Sequence, residues 1–220
     1  MKICLSGITG RMGQEVRKLI SDENFAGGIS RQTSSVEIEE IIKNSDVVID
    51  FSSPANVMKI MPICAKQGIP MVCGTTGFSE NDFETFKNYS NEIAVFYASN
   101  FSIGIYQMAQ LLKATEGVLN DFDISIIDRH HNKKKDAPSG TTLFLASQLK
   151  KEAQIVSIRA GGIPGDHVCC FTNDSEEICI SHRSFNRTVF ASGAIKCARW
   201  IVDKKPGFYQ MSDYVNGQSS

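Results

Sequence analysis

Lys2-Ile3-Cys4-Leu5-Ser6-Gly7-Ile8-Thr9-Gly10-Arg11-Met12-Gly13 opens the chain with a short apolar strand and a turn carrying three glycines. Residues 14–21 then continue as a helix with Val16, Leu19 and Ile20 on one face. A strand that feeds a glycine turn and then a helix is the start of a βαβ unit that binds a dinucleotide. Gly7 permits the tight turn, Gly10 lets the backbone approach a pyrophosphate, and Gly13 lets helix and strand pack closely. The helix start adds N–H groups and partial positive charge, which suit phosphate. The spacing is G-x-x-G-x-x-G rather than the commoner G-x-G-x-x-G. Taken alone, the turn also fits a plain strand-to-helix connection in an α/β protein.

Working outward, the chain keeps alternating. Residues 28–30 read as a second strand, 38–43 as a short helix and 47–51 as an apolar strand. Pro54 opens a helix over 56–66, since proline suits a first helical turn. Residues 70–73 are a strand, Ser79 caps a helix over 80–89, and 93–98 are a further buried strand. Such alternation specifies a mostly parallel sheet covered on both faces. The second half differs. A long helix (102–119), a strand (123–128), a charged loop and a helix (139–151) precede three clustered strands at 155–160, 167–171 and 177–184. That clustering predicts a mixed or open sheet. A helix over 189–203 follows, with Ala191, Ala194 and Ala198 small enough for close packing, and the tail from Asn216 to Ser220 is expected to fray.

Composition narrows the function classes. The 220 residues carry a net charge of -1, with 42% hydrophobic and 21% charged residues. There is no global pull toward nucleic acid or an anionic membrane. No apolar run reaches the roughly 18–20 residues of a membrane span. The N-terminus enters a strand directly, leaving no room for a signal peptide. The seven cysteines lie mostly in apolar runs, with no C-x-x-C pair. They read as reduced core residues of a cytosolic protein. Cys/His clusters with ligand spacing are missing, so no metal site is expected.

The cofactor end can be followed further. An acidic ribose contact usually stands about 20 residues beyond the glycine turn. Here Gly28-Ile29-Ser30-Arg31 occupies that place. Ser30 would not repel a 2′-phosphate and Arg31 could pair with one, which leans toward NADPH over NADH; Arg31 as an ordinary surface residue stays open. Gly74-Thr75-Thr76-Gly77 and Ala98-Ser99-Asn100-Phe101 follow later strands at their C-terminal ends. Ligands gather along that edge, although each stretch also reads as a simple loop.

The richest chemistry lies in Arg129-His130-His131-Asn132-Lys133-Lys134-Lys135-Asp136-Ala137-Pro138-Ser139-Gly140-Thr141. Histidine exchanges protons near neutral pH. A lysine cluster suits a dianion, and Ser139-Gly140-Thr141 opens a helix able to receive an anion. A solvated basic surface is the bland alternative. Nucleic-acid contact lacks any supporting basic stripe. Chelation by both His130 and His131 is disfavoured, because consecutive strand residues point opposite ways.

Together GITGRMG, FSSPANV, CGTTGF, ASNFSIG, RHHNKKKDAPSGT and FASGA resemble the 4-hydroxy-tetrahydrodipicolinate reductase (dihydrodipicolinate reductase) family over residues 2–215. The resemblance implies an NAD(P)H-dependent oxidoreductase of the diaminopimelate route to lysine. Its substrate is a small cyclic imine with two carboxylates. It implies an α/β fold with a Rossmann-like dinucleotide-binding domain (1–101 and 192–220) and a smaller α+β domain for substrate binding and tetramerisation (102–191). It further implies a cytoplasmic homotetramer with no nucleic-acid or membrane partner. By similarity His130 is the acid/base residue and Lys134 serves the substrate nitrogen. His131, Ser139, Gly140 and Thr141 hold substrate. Gly7, Ile8, Thr9, Gly10, Arg11, Met12, Arg31, Gly74, Thr75, Thr76, Ala98, Ser99, Asn100 and Phe101 hold the cofactor. This chain departs from the pattern in its short segment between Arg31 and Asp46, in Ser30 for a frequent acidic residue, and in Tyr106 for a common asparagine. A different dehydrogenase on the same fold, or a non-catalytic NADPH-sensing regulator, would share the glycine turn. The regulator would have no use for the His-His-Lys loop.

Overall fold

The computed structural model describes residues 1–217. Its first unit grows from β1 (Ile3–Ser6), which pairs in parallel with β2 (Phe25–Ile29) on one side and β3 (Val47–Asp50) on the other. Every residue of β1 and β3 is buried. Runs such as Val47-Val48-Ile49 are apolar on both faces because helices cover both. β4 (Met71–Cys73) and β5 (Ala94–Tyr97) extend the sheet in parallel beyond β3. The connecting helices are α1 (Arg11–Leu19), α2 (Ser35–Lys43), α3 (Pro54–Gln67) and α4 (Glu80–Asn88). α2 starts three residues before the predicted helix, because Ser34 and Glu37 form a reciprocal capping box. Ser53 caps α3 ahead of Pro54, and Ser79 caps α4 as the sequence predicts. Val57, Ile60 and Cys64 of α3 and Phe86 of α4 pack on Cys4, Val48, Met71 and Val95 of the sheet.

The second unit spans Ser102–Arg187. It contains α5 (Ile103–Val118), β6 (Asp123–His130), α6 (Gly140–Ala146), β7 (Gln154–Arg159), β8 (Gly165–Thr172) and β9 (Glu177–Ser184). The sheet order is β7-β6-β8-β9, with β6 and β7 parallel and the other pairs antiparallel. This is the mixed sheet that the clustered strands predict. Alternation along β6 sends Ile124, Ile126, Asp128 and His130 to the buried face. Two predictions need correction. β6 runs two residues past its predicted end at Asp128, so Arg129 and His130 are strand residues. α6 stops at Ala146 rather than at 151. The N–H groups of Lys150 and Lys151 go to the buried Glu116 carboxylate at 2.8–3.0 Å instead of to helix carbonyls.

The chain re-enters the first unit at Thr188. α7 (Thr188–Ile201) packs its small Ala191, Ala194 and Ala198 inward, all with no exposed surface. β10 (Gly207–Tyr209) then completes a six-stranded parallel sheet beside β5, and α8 (Met211–Asn216) follows. The sequence reading missed both elements. β10 has three residues, and Phe208 stacks on Tyr97 while meeting Phe83 and Phe86 edge-on. Of the tail expected to fray, Asn216 ends α8 and residues 218–220 lie outside the described residues. The cysteine reading fails for one pair. Five cysteines are free and buried, but Cys170 and Cys179 form a disulfide, since the β8/β9 register sets them opposite with Cα atoms 4.1 Å apart. Among the described residues no helix is long and apolar enough to cross a membrane.

Gly193 of α7 tests this packing. Alanine is the better helix former by ~1 kcal/mol, yet its Cβ would lie 1.9 Å from the Phe101 carbonyl oxygen. Gly193→Ala is therefore expected to cost about 3 kcal/mol through overpacking, read as a lower urea midpoint. An unchanged midpoint would contradict the close approach.

Candidate active site

In the first unit the C-terminal ends of the parallel strands frame a groove of about 410 Å³, lined by Gly7, Thr9, Gly10, Arg31, Ser52 and Asn56 among others. Its floor is the glycine turn. Gly7 sits at φ 79°, and a Cβ there would meet the Phe51 carbonyl oxygen at 2.4 Å. A Cβ on Gly13 would meet the Gly7 oxygen at 2.2 Å. Both glycines are thus required by backbone proximity. The N–H groups of Gly7 and Ile8 bond the Ile29 carbonyl, at 2.9 and 3.3 Å. The first turn of α1 has Gly10 as N-cap, no side-chain cap and no acidic residue. It is suited to receive an anion. Arg31 is exposed on the groove rim. Ser30 hydrogen-bonds within its own turn, its N–H to Thr33 Oγ1 at 2.9 Å and its hydroxyl to Gln32 Oε1 at 3.0 Å.

In the second unit a polar row crosses the sheet on its buried face. Ser157, Asp128, His167 and His182 stand side by side on β7, β6, β8 and β9. Asp128 is fully buried and is the hub. Its Oδ2 accepts from the Ser139 N–H at 2.8 Å, from Arg159 Nη2 at 3.0 Å and from the Ser157 hydroxyl at 3.1 Å. Its Oδ1 lies 2.7 Å from His130 Nδ1, at hydrogen-bonding distance though off the N–H axis. Burial alone would raise the Asp128 pKa. The Ser139 N–H, the Arg159 guanidinium and His130 overcome it and hold the carboxyl well below the usual range. Burial lowers the His130 pKa; Asp128 opposes this, and nearby Lys134 adds to it. The ring is therefore neutral, with Nδ1 at Asp128. Its Nε2 faces Gly165, where an added Cβ would come within 3.3 Å. Burial and the neighbouring His130 push His167 down to about 4.

Two family models, for the N-terminus and the C-terminus of dihydrodipicolinate reductase, match residues 1–101 and 104–215. A 4-hydroxy-tetrahydrodipicolinate reductase of Thermosipho africanus is 39% identical over 217 residues, covering 98% of both chains. One from Bdellovibrio bacteriovorus is 38% identical, over 100% of this chain and 98% of its own. The chain belongs to the dihydrodipicolinate reductase family. The dipicolinate-bound dihydrodipicolinate reductase from Paenisporosarcina sp. TG-14 has the same fold, with a TM-score of 0.80 at 23% identity over 96% of this chain and 97% of that one. Membership makes the chain an enzyme, an oxidoreductase of lysine and diaminopimelate biosynthesis. It also implies a nicotinamide dinucleotide cofactor and a small-molecule substrate.

Seen as a reductase of this family, the chain brings several predicted residues together. His130 and the Ser139 N–H meet Asp128, and Lys134 lies near enough to His130 to lower its pKa. A turn from His131 to Lys134, closed by a 3.1 Å backbone bond, leads to Lys134, whose Nζ rests on Asp136 at 2.8 Å. Gly140 is exposed and Thr141 half-buried in the first turn of α6. Ser139 instead faces inward as the α6 N-cap, and Arg129 lies on the opposite sheet face against Asp166. On the cofactor edge, Thr76 and Ser99 are exposed, whereas Phe101 is buried beside Phe51 and Phe96. Thr75 turns its hydroxyl inward to Asp50. Sequence reading missed Asp128, Arg159, His167 and Gly165. Asp128 was findable, since it lies two residues before His130 and so shares its face. Asp128, His130 and His167 also bring ligand-type atoms within 4.8 Å, a cluster not foreseen. The Arg159 charge on Asp128 opposes a second cation there.

The His167 environment is directly measurable. An NMR titration is expected to place its midpoint at about 4. A midpoint near the ordinary ~6.5 would contradict the buried row. The sign for stability follows. The unfolded chain binds a proton at His167 that the folded chain refuses, so this contribution is lost as pH falls from about 6.5 toward about 4.

Proposed function

We propose that this chain reduces 4-hydroxy-tetrahydrodipicolinate, by way of the conjugated cyclic imine left when its 4-hydroxyl departs, to tetrahydrodipicolinate. NADPH is the preferred reductant and NADH the lesser one. The observation that carries the reading is the placement of His130, its Nδ1 2.7 Å from buried Asp128 and its ring near Lys134, in the chain of a family member. Gly7, Ile8, Thr9, Gly10, Arg11 and Met12 fit a pyrophosphate, because no side chain fills the approach at Gly7 and Gly10 and α1 opens uncapped. Arg31 would take the 2′-phosphate, and Gly74, Thr75, Thr76, Ala98, Ser99, Asn100 and Phe101 would border the nicotinamide end. When bound, the dinucleotide would supply the hydride that adds to the carbon–carbon double bond conjugated with the imine.

The remaining work falls to the chain's own residues. Lys134 and the Gly140–Thr141 helix start carry the charge complement for two carboxylates and for charge developing at the ring nitrogen. Lys134 gives up Asp136 to do so. His131 holds a carboxylate beside them, and Ser139 assists by fixing the α6 start on Asp128. His130 delivers the balancing proton from Nε2. The free site keeps His130 neutral, and two substrate carboxylates nearby would favour its charged form. Substrate itself therefore charges the acid. Asp128 then stabilises the imidazolium and fixes its orientation, as carboxylates behind histidines do.

A cytoplasmic homotetramer without nucleic-acid or membrane partners completes the proposal. Five buried free thiols support the reducing compartment, against which the Cys170–Cys179 disulfide counts. The face of the second sheet opposite α5 and α6 supports assembly, since Val156 and Ile158 are 46% and 41% exposed there.

Oxidation of NADPH or NADH is followed with substrate made from pyruvate and aspartate semialdehyde by the preceding synthase. Consumption of neither cofactor would defeat the proposal. His130→Gln and Lys134→Met are each expected to lower kcat by about 10²-fold or more, and normal turnover by both would remove their roles. Arg31→Ala is expected to raise KM for NADPH about tenfold or more, and KM for NADH little, on the scale of one lost charge-assisted contact. Equal effects would dispose of the 2′-phosphate reading.

A further inference from the structure

Asp50 ends β3 and has no exposed surface. It interrupts a strand that is otherwise Val47-Val48-Ile49, on the face packed by α3. Three donors converge on it. The Ser52 N–H and the Thr75 hydroxyl reach Oδ1 at 3.1 and 2.5 Å, and the Ser52 hydroxyl reaches Oδ2 at 2.7 Å. The Ser52 N–H also meets Thr75 Oγ1 at 2.9 Å. Asn56, in the first turn of α3, donates to Ser52 Oγ at 3.0 Å and to Ser6 Oγ at 2.8 Å. One carboxylate therefore joins the loop after β3, the loop after β4 and, through Ser52 and Asn56, the end of β1. Ser52 and Asn56 line the groove. Burial raises the Asp50 pKa, and the hydrogen bonds it receives pull the other way; its two carboxyl oxygens accept all three donors, whereas an asparagine would set its NH2 against them.

We infer that Asp50 is a positioning residue for the dinucleotide, shaping the groove by holding residues 51–53 and 74–76 in one arrangement without touching the ligand. This rests on the groove being the dinucleotide site. It also gives Thr75 a different part from the one its sequence position suggests, as a tie between loops rather than a hydroxyl offered to the cofactor.

The test uses the full chain with NADPH as the probe, its Kd read from the fluorescence of the bound nicotinamide. Asp50→Asn is expected to raise Kd and KM for NADPH about tenfold, the equivalent of one lost buried hydrogen bond. Turnover at saturation and KM for the imine are expected to stay within about twofold, which general loosening of the fold would not allow. Adding Ser52→Ala to Asp50→Asn is expected to cost less than the sum of the two single changes, because both remove the bond between the Ser52 hydroxyl and Asp50. An unchanged Kd, or a loss spread equally over kcat and both KM values, overturns the inference. If Asp50→Asn does not fold, Ser52→Ala and Thr75→Val each remove one donor and are expected to raise Kd about threefold; no rise in either overturns it as well. Failure of the unaltered chain to bind either nicotinamide dinucleotide would instead overturn the groove itself, and the inference with it.

Discussion

A carboxylate buried without partners costs several kcal/mol, so Asp128 within β6 and Asp50 at the end of β3 dictate what surrounds them. Asp128 gathers a backbone N–H, a guanidinium, a serine hydroxyl and a histidine. Asp50 gathers two hydroxyls and a backbone N–H. In each case the donors come from separate stretches of chain that sequence order does not bring together. Satisfying the buried carboxyl oxygens therefore also fixes the loops that carry those donors. The functional edges of both units are held by this requirement, while apolar packing holds the sheets beneath them.

The requirement divides what was legible in the sequence from what was not. Local signals served well. Gly7 and Gly13 follow from a tight turn, Ser79 caps its helix, and alternation of strand and helix gives the parallel sheet. Partners at long range were not legible. Arg159 reaches Asp128 only because β7 lies parallel to β6 in a particular register, 31 residues on. The disulfide likewise depends on Cys170 facing Cys179 across β8 and β9. β10 escaped because three residues carry too little periodicity, and only its aromatic contacts with β5 and α4 justify it. α6 ended early because Glu116, from another helix, took the N–H groups its continuation needed.

The same divide separates two kinds of position within one motif. Thr75, Ser139 and Phe101 occupy loop ends where ligands gather in such folds. Each is nonetheless buried. Thr75 and Ser139 spend their polar groups inside the protein, and Phe101 fills space between Phe51 and Phe96. Exposed neighbours, Thr76, Gly140 and Ser99, are left as the faces a ligand would meet. A sequence motif thus marks a stretch in which buried residues that build the loop sit beside exposed ones open to a ligand.

His130 shows how far electrostatics then constrains chemistry. Asp128 favours a charged ring, while burial, Lys134 and Arg159 oppose it, and the balance leaves the ring neutral. Such a balance is sensitive to one added charge, because shielding by water is weak in a buried site. An anion bound near Lys134 would cancel part of the opposition and move the ring toward its charged form. An acid that charges on ligand binding has no proton to lose beforehand. Asp128 could not play this part were it itself protonated, and the cost of keeping it ionised is met by Arg159 and the Ser139 N–H. On the proposed role of His130, Arg159 would act on the reaction only through two intermediaries, which is why no local pattern around it announces a function.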